Sequence, residues 1–264
     1  MGIFSNQRLL TGLVTNVAIL ATGTAAVEAA SFVSNRIDLN ANDQLDWVDL
    51  FNPGPPTGPG PSLSLLPNDG FPATTERGLD LTVDISSDGI DFDLDGPGPD
   101  TGVTPPFIFQ TTAGAPPANV PTNFAPGDYI LFTGLTPGAF PSPGNDNPIS
   151  ILFDEPVLAA GAQFAVDDAL TPYTATIEAF DIDGMLLASF SVDDATSSIA
   201  LDNSAVFLGV ESDVAEIARI DFFSDLPGLA SGINLLSVKT TPEPFGLIGL
   251  GLVTFGILRS RRKN

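Results

Sequence analysis

Proline sets the first limit on what this chain can fold into. Of its 24 prolines, nineteen fall between Pro53 and Pro148. Each removes a backbone donor and blocks the helical turn before it. "NPGPPTGPGP" (52–61) can be neither a helix nor a good strand, so it reads as an extended loop. "GPGPDTGVTPP" (96–106) and the stretch 113–126 read the same way. With 26 Gly, and with Lys, Arg, Glu and Met scarce, the balance favours short strands joined by turns. Material for a core remains, since 43% of the 264 residues are apolar. That length fits one large sandwich or two small domains.

The chain after Ile149 is cleaner. "ISILF", "GAQFAV", "TATIEAFD", "MLLASFSV", "AVFLGV", "IARIDFF" and "INLLSV" recur at spacings suited to an antiparallel sandwich. "DIDGM" (181–185) predicts a tight hairpin turn, because Asp183-Gly184 supplies the positive-φ residues it needs. In the strand that follows, Leu186, Ala188, Phe190 and Val192 share one face, with Leu187, Ser189 and Ser191 on the other. "TATIEAF" alternates poorly and reads as a strand buried on both faces. No period of 20–50 residues repeats, which excludes a solenoid.

The strictest alternation is "LDLTVDISSDGIDFDLD" (79–95). Leu79, Leu81, Val83 and Ile85 alternate with polar residues before Asp88-Gly89; Ile90, Phe92 and Leu94 alternate with Asp91, Asp93 and Asp95 after it. The pattern predicts a hairpin with one apolar and one acidic face, with Asp84 opposite Asp91 or Asp93. Opposed like charges destabilise such a pair. Two readings follow: salt screens an ordinary wet surface, or a structural Ca²⁺ sits on Asp84, Asp91 and Asp93, whose oxygens suit a hard cation.

Several chemistries are excluded or weakened. Cys and His are both absent, so there is no disulfide, no thiolate and no Ser-His or Cys-His nucleophile. Between residues 30 and 241 thirty acids face only Arg36, Arg77, Arg219 and Lys239, which leaves nothing to neutralise nucleic-acid phosphates. "DLNANDQLDWVD" (38–49) spaces its oxygens like an EF-hand loop, but Asp43 replaces the turn Gly and Asp49 the bidentate Glu. A strand start anchored by Trp47 is the competing role. "DFDLDGPGPDTG" (91–102) matches only the beginning of such a loop. A glycosidase needs two carboxylates at a set spacing, and thirty acids make some such pair inevitable. Phosphate-binding glycine loops and nucleophile elbows are missing. A non-enzymatic protein needing no cofactor is the expectation.

Both ends read as addresses. Arg8 precedes the apolar "LLTGLVTNVAIL", and Val27 and Ala29 suit the −3 and −1 positions of a signal peptidase site, so cleavage is expected before Ala30 or Ser31. At the other end "TPEP" leads into fourteen uncharged residues (245–258), then Arg259, Arg261, Arg262 and Lys263. Fourteen residues make a helix of about 21 Å, short of the roughly 30 Å hydrocarbon core. A basic stop after a short helix suits a pause in the membrane during export.

Pro242-Glu243-Pro244, the apolar run and the basic end, in that order, resemble the PEP-CTERM sorting signal of exported bacterial proteins. The resemblance implies processing near Glu243 by an integral-membrane exosortase, in cells that make exopolysaccharide. "YTATIEAFDIDGMLLASF", "AVFLGVES", "IARIDFFS" and "INLLSV" resemble the galactose-binding-like or jelly-roll sandwiches found ahead of such tails. Some of those bind sugars, but Trp47, Tyr129 and Tyr173 are the only Trp or Tyr here, few for a stacking platform. The expected plan is a signal helix (1–30), an exported all-β antiparallel sandwich, jelly-roll-like, with Pro/Gly-rich loops (31–241), and a sorting tail with a short hydrophobic helix (242–264). Its expected role is structural or adhesive at the cell surface or in exopolysaccharide. A carbohydrate-binding module is the alternative, and a glycoside hydrolase stands third.

Overall fold

A computed structural model describes residues 30–52, 63–68, 70–90, 102–111, 123–136, 143–169, 171–198 and 200–241. Ala29, Asp91, Asp93, the Pro242-Glu243-Pro244 motif, the basic cluster Arg259, Arg261, Arg262 and Lys263, and the segments expected as terminal helices lie outside these residues. Among the described residues no helix is long and apolar enough to cross a membrane.

Fifteen strands follow one another among the described residues. The first seven are β1 (Ser31–Val33), β2 (Asp43–Leu45), β3 (Leu63–Leu65), β4 (Phe71–Thr74), β5 (Asp80–Ile85), β6 (Phe107–Gln110) and β7 (Tyr129–Phe132). Then come β8 (Ile149–Val157), β9 (Ala159–Val166), β10 (Tyr173–Phe180), β11 (Leu186–Ala195), β12 (Val206–Glu211), β13 (Ile217–Ser224), β14 (Ser231–Ile233) and β15 (Leu236–Lys239). The one helical element described is a 3-10 turn, Trp47–Leu50, capped by the Asp46 side chain.

The strands form two sheets, and all their pairings are antiparallel. A nine-stranded sheet runs β1-β12-β9-β14-β7-β6-β3, with β15 also on β9 and β2 beyond β15; a six-stranded sheet runs β11-β10-β13-β8-β5-β4. Alternation explains how they stack. In β8, Ile149, Ile151 and Phe153 are buried while Ser150, Leu152 and Asp154 are not. Ala160, Ala162, Phe164, Leu208 and Val210 of one sheet share a core with Ile151, Ile177, Ile220 and Phe222 of the other. Each large aliphatic or aromatic chain buried there contributes about 1.5–3 kcal/mol relative to exposure. The result is an all-β sandwich of two antiparallel sheets.

The proline-rich half supplies strands to both sheets. Ile108 and Leu131 point into the shared core, while Phe107, Phe109, Ile130 and Phe132 are buried on the opposite face with Phe124. β6 and β7 are therefore apolar on both sides.

Four local expectations change. First, β5 has β4 on one edge and β8 on the other, so Asp84 stands opposite Ser150, not opposite Asp91 or Asp93. The turn at Asp88-Gly89 does form, with Ile90 N donating to Ser87 O at 3.1 Å and Gly89 at φ +78. For β5 alternation had given the right faces and the wrong neighbour, because β5 closes its hairpin with the preceding β4. Second, the hairpin at 181–185 forms, but a bulge between Ala179↔Ala188 and Phe180↔Leu186 leaves Leu187 against the core and Leu186 outside. Third, β10 buries one main face, Tyr173, Ala175, Ile177 and Ala179; its outward Phe180 lies beneath the Arg219 guanidinium. Fourth, "INLLSV" is two strands, β14 and β15, parted at Asn234 and Leu235.

The EF-hand-like stretch is structural. Asp43 is buried, and its carboxylate accepts from Gln44 N, Thr75 Oγ1 and Arg77 N, which ties β2 to the β4–β5 hairpin. Trp47 is fully buried as an anchor, but it opens a 3-10 turn after β2 and does not start a strand.

Candidate functional site

Register assembles the outer face of the six-stranded sheet from strands far apart in sequence. Ser189, Glu178, Asp221, Ser150 and Asp84 stand in one row across β11, β10, β13, β8 and β5. The next row is Leu186, Phe180, Arg219, Leu152, Thr82 and Pro72. Leu152 is 39% exposed and Leu186 53%. Neighbouring strands lie about 4.8 Å apart, so Glu178 and Asp221 are directly opposed like charges. Ser189 Oγ relieves one of them by donating to Glu178 Oε1 at 3.1 Å.

Arg219 answers the other. Its Nε stands 3.2 Å from Asp221 Oδ1, an ion pair whose angle falls short of a hydrogen bond. Its Cζ lies 3.8 Å from the Phe180 ring centroid, a cation–π stack that covers the outward aromatic. Burial pushes the Asp221 carboxyl above its ordinary pKa; the Ser150 hydroxyl and Arg219 pull it down, and Glu178 and Asp84 push it up again. Chemically the face offers carboxylate and hydroxyl acceptors, one guanidinium and a small apolar band. Such groups can hydrogen-bond a polyol or hold a second polar surface.

A pH prediction follows. A carboxyl whose folded pKa is raised adds stability that is fully present below its unfolded pKa of about 3.9. That stability is lost as pH rises through the folded pKa. Asp221→Asn is therefore expected to melt above the parent at pH 7, with the gap closing towards about pH 3.5. Thermal melts across that range check it. A variant that melts lower at pH 7 would mean that the Arg219 pair outweighs the burial cost.

Of the three residues given for calcium on the acidic hairpin, Asp84, Asp91 and Asp93, only Asp84 lies among those described, and it joins Asp221 and Glu178 as part of the acidic row. Sequence reasoning missed a polar node on the far face of the nine-stranded sheet. Arg36 Nη1 donates to Leu235 O and Ser237 Oγ, and Nη2 to Asn234 Oδ1, each at 2.8 Å. Asn234 Nδ2 donates to Asp128 Oδ2 (3.0 Å) and Gln163 Oε1 (2.6 Å). Burial lowers the Arg36 pKa and Asp128 raises it in part. The available signal was scarcity, since Arg36 is one of four cations in an acidic segment of some 200 residues.

No known protein family matches this sequence, and no curated protein matches it. Among solved structures, a DUF4465 family protein from Bacteroides caccae ATCC 43185 is similar over 76% of this chain and 98% of that one, at 12% identity and a TM-score of 0.26. At that score the likeness carries no argument about function.

Proposed function

We propose that this chain is an exported, C-terminally sorted, non-enzymatic protein of the bacterial cell surface or exopolysaccharide matrix, built on a jelly roll. The observation that carries the reading is the ordered tail: Pro242-Glu243-Pro244, an apolar run too short for a firm anchor, then four basic residues in the last six. An exosortase-like membrane enzyme is its processing partner, exopolysaccharide its surroundings, and membrane contact is transient. Nucleic acid is not a partner, and no cofactor is needed.

The fold supports this reading at three points. From β7 to β14 the chain steps between the sheets, leaving β12-β9-β14-β7 in one and β11-β10-β13-β8 in the other. That order is what a jelly-roll winding would give, and it supports the reading. Ala30 is buried with the core, so a cut after Ala29 keeps it in place whereas a cut after Ala30 removes it. At the other end, Lys239 pairs with Glu211, and Thr240 N donates to Asn42 Oδ1 at 2.8 Å. The body is tied down just before the motif by contacts that do not involve the tail.

Mass spectrometry of the exported protein tests the proposal. The expected mature chain begins at Ala30 and lacks 245–264. Recovery of the intact "RSRRKN" terminus as the dominant species would make the tail an ordinary membrane anchor and end the sorting reading.

A further inference from the structure

A strand at the end of a sheet shows a row of unpaired N–H and C=O groups to any chain that meets it. Among the described strands, β1, β2 and β3 stand at ends of the nine-stranded sheet, and β4 and β11 at the ends of the six-stranded one. Most of these edges are guarded. β1, β2 and β3 are each three residues long, and β4 has four residues, one of them Pro72, which has no N–H to offer. β11 is different. It is ten residues long, pairs with β10 alone, and holds neither proline nor a basic residue.

The acidic surface also lapses at this edge. From Gly184 to Val192 no residue is charged, although Asp181 and Asp183 precede the run and Asp193 and Asp194 follow it. Its core-side residues Leu187, Ala188, Phe190 and Val192 pack against the core and stay half-buried. On the neighbouring β10, Ala175, Ile177 and Ala179 are fully buried. Where the chain enters β11, Ile182, Met185 and Leu186 are 72%, 66% and 53% exposed. The six-stranded sheet thus stops within an apolar surface.

We propose that two copies of this chain join along β11, antiparallel, about a twofold axis at Phe190. The surface is argued from the sandwich alone and does not depend on the sorting tail. Directly opposed residues share a face of the sheet, and in β11 Ala188, Phe190 and Val192 point inward while Ser189 and Ser191 point out. The axis therefore sets Ala188 against Val192 of the second copy, Ser189 against Ser191, and Phe190 against Phe190. Phe32, with its ring centroid 5.6 Å from that of Phe190, flanks the aromatic pair on each side. Asp193 and Asp194 fall towards Leu186 and Leu187 of the second copy. A parallel pairing would set Asp193 beside Asp193, which like charge disfavours. The union also closes on itself. It joins two six-stranded sheets end to end and leaves β4, with its Pro72, at both outer ends, where no third copy can add.

Because the chain has no cysteine, cross-linking reads this register directly. Full-length Ser189→Cys and Ser191→Cys chains, mixed in equal amounts and mildly oxidised, are expected to give several-fold more disulfide dimer than either chain alone. Alone, each new thiol faces a serine and reaches its own copy only on the diagonal, about 7–8 Å away, too far for a relaxed disulfide. Thr74→Cys, on the guarded β4, should give only background. Ser189→Asp combined with Ser191→Asp sets two pairs of carboxylates against each other, and should raise the dimer Kd about tenfold in sedimentation. The apolar tail is the same in every sample, so association through it cancels from each comparison. A full chain that stays monomeric at about 1 mM, a mixture that cross-links no better than its parts, or a dimer unmoved by the paired aspartates would overturn the proposal. If the aspartate variant does not fold, the cysteine mixture decides alone.

Discussion

Asn234→Ala is expected to destabilise the sandwich by about 3–5 kcal/mol, the range for breaking a buried charged hydrogen-bond network. For a chain of this size that lowers the melting temperature by roughly 10 °C. The reason lies where the nine-stranded sheet divides. β9 pairs with β15 through Ala159, Ala160 and Gly161, and with β14 through Phe164, Ala165 and Val166. Between those blocks its edge is open, and Asn234 fills the gap. Its N–H donates to Gln163 O (3.2 Å), its Oδ1 accepts from Gln163 N (3.1 Å), and its carbonyl takes Trp47 Nε1 (2.9 Å). Alanine keeps the backbone bonds but strips Gln163 N, Arg36 and Asp128 of a side-chain partner. Arg36, already half-buried over the Phe207 ring at 5.4 Å, would be left with fewer acceptors for its charge. Asn234→Asp keeps the acceptor but sets a carboxylate against Asp128, so it should fare no better. Urea and thermal melts measure both; a loss below 1 kcal/mol for Asn234→Ala would show that the two branches hold together without it.

That node also marks where sequence stops informing. β8 and β13 were legible because each turns one face to the core and one outward, so burial writes itself as period two, whereas in β10 the buried Thr176 among the outward positions blurred that period. "INLLSV" reads as one apolar run, and only the tertiary position of Asn234 divides it. β6 and β7 were invisible for a different reason. Phe107, Ile108, Phe109, Ile130, Leu131 and Phe132 are all buried, on alternate faces of a sheet covered on both sides. Alternation disappears when neither face meets water, and a four-residue strand is too short to show anything else.

The acidic face was half legible. Asp84 was recognisable as an outward carboxylate, but its companions Glu178 and Asp221 come from β10 and β13, and only register brings them into its row. Local pattern gives faces; it does not give neighbours. The tail is the opposite case. Its signal is written in linear order, which is why the strongest functional argument comes from residues that need no fold to be recognised.

Gly161→Ala is expected to cost about 3 kcal/mol, a large effect for one methyl group. In the unfolded chain that substitution favours folding, since Ala has less backbone entropy to lose, by about 0.4–1 kcal/mol at a compatible site. Backbone strain does not oppose it either, because Gly161 is not among the residues of positive φ. The loss must come from contact. A Cβ there would stand 2.6 Å from Leu208 O, 2.7 Å from Gly209 Cα and 2.9 Å from Phe207 Cζ. Two of those atoms are backbone of β12, and Gly209 is the direct partner of Gly161. Ser237 of β15 pairs with Gly161 on its other side, so β9 cannot slide away. The Phe207 ring lies over this glycine pair and seals a floor that has no side chains of its own. Gly184→Ala is the control: nothing lies within 4 Å of its Cβ, but φ is +78. That change should cost only the left-handed penalty of about 1–2 kcal/mol. Denaturant melts of the two variants side by side separate crowding from strain. If Gly161→Ala proves as stable as the parent, β9 and β12 have room to part, and the glycine pair is not what sets their spacing.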